Sequence, residues 1–148
     1  VKTDTDTTNQ VNNFVDISGM SVSITPTSAT SKVLVTVDMR LSTNTNRNIT
    51  YRLMRGSTAI YIGDASSSRT RATGGMRMTD DASYEMQSET AVFLDSPATT
   101  SATTYKVMWT QAYDSSGEYA YINRSYDDND ADDRNRGASS ITVMEIAV

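Results

Sequence analysis

The sequence contains neither cysteine nor histidine. Without cysteine there is no disulfide and no thiolate nucleophile, and without histidine the commonest general base is missing. No apolar run approaches the roughly 18 residues that span a bilayer, and the polar start, VKTDTDTTNQ, has no apolar signal core. The composition therefore argues against a disulfide-stapled domain, membrane insertion, a secretory signal and most kinds of enzyme.

The charge balance argues against nucleic-acid binding. The chain has 13 basic and 18 acidic residues and a net charge of −5, whereas binding to nucleic acid depends on neutralising phosphates with lysine and arginine. A carboxylate pair for glycoside cleavage is the remaining enzymatic alternative, and Glu85 with Glu89, four residues apart, is weak evidence for it. We expect a protein that is not an enzyme and has no cofactor.

The length of 148 residues predicts one domain with a substantial core. Serine and threonine are abundant, with 19 and 22 copies, and the first ten residues are polar and rich in threonine and aspartate. We predict that residues 1–10 form a polar extension that is ordered only by a neighbour. The β-domain is then expected to span residues 11–148.

Alternation of apolar and polar residues predicts strands rather than helices. In KVLVTVDMRL every second residue from Val33 to Leu41 is apolar, and TYKVMWT places Tyr105, Val107 and Trp109 on one side. Similar short runs are MSVSI, ITYRLMR, TAIYI and EYAYIN. Turn-forming residues separate them, including RGS, DSSG and the segment around Pro97. The pattern predicts an all-β, antiparallel, jelly-roll-like sandwich.

The last run, ITVMEIAV, is apolar on both faces. Ile141 and Val143 point to one side, and Met144 and Ile146 point to the other. Such a strand is normally central in its sheet or is covered by a second surface. We predict that these four residues contribute to an interface between sister subunits around a threefold axis.

Several segments together carry a resemblance to a known family. LMRGSTAIYIGDASSSRTRATGG, FLDSPATTSATTYKV, YINRSY and RGASSITVMEIAV occur in an order that resembles a C-terminal domain of tail-fibre and related virion proteins of tailed bacteriophages, especially those of aquatic bacteria such as cyanophages. The resemblance covers roughly residues 14–148 and brings no catalytic residues with it. It implies a homotrimer with a layout similar to C1q and TNF-like trimers.

The resemblance also implies a place and a role. The protein would be made in the bacterial host cytoplasm and would lie on the virion surface beside other virion proteins. The first hypothesis is a fibre or spike head that binds a bacterial surface glycan. The alternative is a decoration or cement protein of capsid or tail, or a filament subunit, without a receptor role.

The acidic segment YDDNDADDRNRG allows two interpretations. Asp128, Asp130 and Asp132 match the first ligand positions of a calcium loop, since clustered carboxylates are hard oxygen ligands. The match then fails where such a loop requires glycine and glutamate. The other interpretation is a solvated loop that Arg134 and Arg136 partly neutralise.

The longest polar connections are the candidate recognition elements, because loops on a β-scaffold vary and bind. They are Gly63 to Gly75, Thr79 to Ser88 and Asp127 to Ser139. We predict that Arg69, Arg71, Tyr84 or Tyr126 contacts a partner, with arginine suited to anionic sugars or phosphate and tyrosine to sugar faces. Four tyrosines near the end of the chain are candidates for glycan contact, an interface or simple packing: Tyr113, Tyr119, Tyr121 and Tyr126.

Overall fold

The computed structural model describes residues 1–44, 47–78, 84–111 and 119–148, and these residues form two antiparallel sheets. The strands, in chain order, are β1 (Asp6–Thr8), β2 (Val15–Ile24), β3 (Lys32–Thr43), β4 (Asn48–Arg55), β5 (Thr58–Ile60), β6 (Gly74–Arg77), β7 (Gln87–Asp95), β8 (Thr103–Gln111), β9 (Ala120–Ile122) and β10 (Ser140–Ile146). The predicted all-β sandwich is confirmed.

Strands β3 and β4 organise the two sheets. In one sheet, β3 pairs with β7 along one edge and with β10 and β9 along the other, and β1 extends the sheet beyond β9. In the other sheet, β4 pairs with β8 on one side and with β5 and β6 on the other, and β2 lies beyond β8. Consecutive strands often change sheet, which agrees with a jelly-roll-like layout.

The core lies between the sheets and follows the predicted alternation. Every second residue of β3 from Val33 to Leu41 has no exposed surface, and the side chains between them are half-buried. On β8, Tyr105, Val107 and Trp109 are all buried, so the single tryptophan belongs to the core. Burying large apolar side chains in this way is the main force that holds the two sheets together.

The run MSVSI is part of a longer strand than the alternation indicated. Strand β2 begins at Val15, and its pairing with β8 shifts between Asp16 and Ser21. Gly19 lies in this bulge with φ 77°, a conformation that favours glycine. The bulge places Ile17 and Met20, three residues apart, both in the core. A strict period of two therefore misses the first half of the strand.

Strand β10 lies at an edge of its sheet rather than at the centre. Within the described residues it pairs with β3 alone. Ile141 is buried in the core and Val143 packs against it, whereas the Met144 side is open, with Met144 57% exposed in the single chain. A central position, the first of the two alternatives, is therefore excluded. Cover from a second surface stays a prediction.

The first ten residues are held by the sandwich itself, which corrects the expectation that only a neighbour would order them. The backbone of Lys2 exchanges two hydrogen bonds with Ser139, at 2.8 and 2.9 Å, and Lys2 is buried. Strand β1 pairs with β9, and the Gln10 carbonyl accepts a 2.8 Å hydrogen bond from the Gln111 amide. Composition alone misses this because backbone pairing does not require apolar side chains.

Two carboxylates on the inner face of β7 connect the sheets. Asp95 is buried and accepts hydrogen bonds from Arg55, at 2.9 Å to each carboxylate oxygen, and from the Tyr105 hydroxyl at 2.7 Å. Burial and this hydrogen bond raise the pKa of Tyr105. Near the other end of β7, Glu89 hydrogen-bonds Tyr51, and burial followed by the nearby Glu89 raises the pKa of Tyr51 to about 12.

The glycine pair at the start of β6 serves close packing. A Cβ on Gly74 would lie 2.6 Å from the Tyr51 hydroxyl, and one on Gly75 would lie 2.5 Å from the Ile49 carbonyl oxygen. Both contacts are shorter than real Cβ atoms make, so larger residues would separate β6 from β4.

Candidate ligand-binding surface

The segment after β9 leaves the sandwich through a buried neck at Asn123. Asn123 has φ 64°, a conformation that asparagine tolerates better than most residues, and it has no exposed surface. Its side-chain amide donates to the carbonyls of Lys2 and Asp4, each at 2.9 Å, and its side-chain oxygen accepts from the Ser139 hydroxyl at 2.6 Å. The Gly137 amide donates to its backbone carbonyl at 3.0 Å. The neck therefore fixes both ends of the loop.

The loop formed by residues 124–136, here called the display loop, is braced by ion pairs. Asp127 pairs with Arg134 at 3.1 Å. Asp128 pairs with both Arg124 and Arg136, at 3.0 and 2.7 Å. Partial neutralisation by Arg134 and Arg136 is therefore the interpretation that the structure supports.

The calcium candidates do not converge. Among the described residues, no group of three or more acidic side chains is placed to hold a metal ion. Asp128 faces arginines, and Asp130 and Asp132 are exposed at the far end of the display loop. The sequence match to a calcium loop reflects spacing along the chain, and the described structure does not bring these three carboxylates together.

Three of the four tyrosines form a row of rings beside the display loop. The Tyr119 and Tyr121 ring centroids are 6.2 Å apart, and those of Tyr121 and Tyr126 are 5.9 Å apart. The Arg124 guanidinium lies over the Tyr121 ring, 4.1 Å from its centroid. Tyr113 lies outside the described residues. We call Tyr119, Tyr121, Tyr126 and Arg124 the tyrosine surface.

The outer rings of this row face solvent. Tyr121 is buried, while Tyr119 and Tyr126 are 37% and 40% exposed. Next to Tyr126 is a surface depression of about 510 Å³ lined by Arg124, Tyr126, Asp127, Asp128 and Asn129. It combines one aromatic ring with several hydrogen-bonding groups, so it is more polar than most small-ligand pockets and suits a polar ligand.

Tyr84 is joined to the display loop through Arg134. The Arg134 guanidinium lies 3.7 Å from the centroid of the Tyr84 ring and is also held by Asp127. Tyr84 is 45% exposed. Most of the rest of the predicted Thr79 to Ser88 loop, residues 79–83, lies outside the described residues. Two of the predicted recognition residues, Tyr84 and Tyr126, are thus linked to one loop.

The other two predicted recognition residues belong to the other sheet. Arg71 donates from Nε to the Gly63 carbonyl at 2.7 Å, and its own carbonyl accepts from the Arg52 Nε at 2.7 Å. Arg71 therefore closes the neck of its loop. Arg69 is exposed nearer the loop tip. The sequence alone could not distinguish a structural arginine from a displayed one two residues away.

The outside of the β7–β3–β10 sheet carries a second candidate surface. Met144, Leu34 and Leu94 lie opposite one another across the three strands, and Val92 is one row further along β7. Val92, Leu94 and Met144 are 56%, 45% and 57% exposed. We call these four residues the outer apolar face. The alternation in ITVMEIAV pointed to Met144 but gave no indication of its partners on β7.

Comparison with known proteins gives no family for the chain. No family model matches it, and no curated protein matches its sequence. The described residues contain no helix that is long and apolar enough to cross a membrane.

Proposed function

We propose that this protein is a non-enzymatic binding module of a phage particle, which presents the tyrosine surface to carbohydrate on a bacterial cell. The observation that carries the proposal is the pair of exposed rings, Tyr119 and Tyr126, beside a polar depression on a braced loop. Aromatic rings with polar tips suit sugars, which have both apolar faces and hydroxyl groups. The order of segments that resembles tail-fibre domains supports the place on the virion.

The braced display loop supports recognition rather than simple packing. Its ion pairs and buried neck hold the residues next to Tyr126 in place before any ligand arrives. Binding then loses less conformational entropy than it would with a mobile loop. Recognition residues on loops of a rigid β-scaffold follow the same principle in many proteins.

The test is adhesion to isolated envelope polysaccharide from bacteria that such a particle infects. The Tyr119→Ala/Tyr126→Ala variant should lose at least tenfold in retention, measured by biolayer interferometry on the immobilised polysaccharide. Tyr61→Ala is the matched control, because Tyr61 is 48% exposed but stacks on Phe93, away from this surface. Equal retention of both variants and the unaltered protein would remove the tyrosine surface from the proposal.

A decoration, cement or filament protein without a receptor role is the second candidate. The outer apolar face favours it, since exposed apolar patches on a folded chain commonly mark contacts with other proteins. The two roles are compatible if the apolar face is used for assembly and the tyrosine surface for adhesion. We propose a homotrimer in which sister subunits or other virion proteins cover the outer apolar face.

A further inference from the structure

We propose that the tyrosine surface selects uncharged, hydroxyl-rich sugars over sugars that carry phosphate, sulfate or carboxylate. This inference rests on the carbohydrate-binding function proposed above and specifies the class of ligand. It differs from the expectation, based on Arg69 and Arg71, that arginine would direct the protein to anionic sugars. The evidence lies in the pairing of the arginines around Tyr126.

The rings offer a fixed apolar platform. Tyr126 packs against Tyr121, which is itself buried and covered on one side by Arg124. The exposed part of the Tyr126 ring is therefore held in one orientation. A sugar ring that places its C–H face on this platform buries apolar area at little cost in side-chain freedom.

The polar groups of the depression suit hydroxyls. Asn129 can both donate and accept through its side-chain amide, and the carboxylates of Asp127 and Asp128 accept hydrogen bonds. Sugar hydroxyls can donate to the carboxylates and can both donate to and accept from the amide. A phosphate or carboxylate group would find acidic acceptors at the same positions.

The positive charges beside the depression are already paired. Arg124 and Arg136 bind Asp128, and Arg134 binds Asp127 and Asp133. The display loop contains five aspartates and three arginines, which gives it a net charge of −2. The acidic excess of the loop therefore opposes an anionic group, whereas an uncharged sugar meets no such repulsion.

Matched probes test this directly. An array would carry hexose and N-acetylhexosamine oligosaccharides, each in an uncharged form and in a form with a phosphate or sulfate on the same sugar. The full chain should retain the uncharged member of a pair at least tenfold more strongly at physiological ionic strength. Tyr126→Ala should abolish this binding.

A variant with altered loop charge separates specific recognition from nonspecific adsorption. Asp130 and Asp132 are exposed at the end of the display loop, so Asp130→Asn/Asp132→Asn should leave the fold unchanged and make the loop neutral. Binding of the anionic probes should then rise several-fold while binding of the uncharged probes stays the same.

The outcomes distinguish the two proposals. If the anionic member of each pair binds equally or better, and Tyr126→Ala removes that binding, the ligand class is wrong and the carbohydrate-binding function stands. If no probe binds and envelope polysaccharide is not retained either, both proposals fail. Circular dichroism and the melting temperature of each variant show whether a loss of binding comes from unfolding.

Discussion

Single residues on the inner face of β7 set a pH dependence for the fold. Burial raises the pKa of Glu89 above its ordinary value of 4.5, and the hydrogen bond from Tyr51 only partly opposes this effect. The protonated form is thus favoured in the folded state. The contribution of protonated Glu89 to the free energy of unfolding is complete below the pKa that Glu89 has in the unfolded chain. It is lost as the pH rises through the pKa that Glu89 has in the folded chain.

Glu89→Gln should therefore stabilise the protein at neutral pH. Glutamine can still accept the Tyr51 hydrogen bond and carries no charge, so we expect a melting temperature higher by ~2 °C at pH 7, equivalent to less than about 1 kcal/mol. The difference should disappear near pH 4, where Glu89 is protonated. Glu85→Gln, on an exposed glutamate four residues earlier, is the control and should leave the melting temperature at pH 7 unchanged. A lower melting temperature for Glu89→Gln at pH 7 would contradict this account.

At the scale of elements, the N-terminal segment is part of the sandwich and its removal should be costly. Deleting residues 1–8 removes β1, exposes part of β9 and leaves the Asn123 amide without the two carbonyls to which it donates. Each lost buried hydrogen bond costs about 1 kcal/mol, partly offset by the freedom that the segment gains. We expect a loss of roughly 2–3 kcal/mol, or ~5–10 °C in melting temperature.

Thermal unfolding of the shortened chain checks this expectation. Asn123→Ala tests the same connection by a point change and should lower the melting temperature as well, since it removes the hydrogen bonds to the Lys2 and Asp4 carbonyls and leaves the buried Ser139 hydroxyl without its acceptor. An unchanged melting temperature in the deletion variant would contradict this account, and residues 1–8 would then be a polar extension that adds no stability to the sandwich.

Elements that could be predicted from the sequence are those with a regular period and apolar side chains. Strands β3 and β8 satisfy this condition, and the residues that the alternation places on one side are the buried ones. Strand β1 is polar and β6 begins with two glycines, so neither has an apolar period that would reveal it. In the candidate site, the tyrosines were visible as residue types. The neck at Asn123 was not, because its partners Lys2 and Ser139 are far away in the chain.

For the whole molecule, the outer apolar face predicts assembly. Met144 is exposed in the single chain, so Met144→Asp should leave the subunit folded and prevent association, because an interface would bury an unpaired charge. Light scattering should give about three times the chain mass of 16.2 kDa for the unaltered protein and the chain mass for the variant. Thr100→Asp, in an exposed loop outside the outer apolar face, is the control and should assemble normally. A monomeric unaltered protein at micromolar concentration would contradict the proposed trimer.

The buried neck at Asn123 also determines where the sequence can change during evolution. Because Asn123 and Gly137 are hydrogen-bonded to each other, the thirteen residues between them contribute little to the path of the chain through the sheets. The entropy of closing such a segment grows slowly with its length, by about 0.6 kcal/mol for each doubling. Insertions and replacements between residues 124 and 136 are therefore tolerated far better than changes in the neck. Under the proposed binding function, the choice of ligand can therefore change through this segment while the sandwich remains the same.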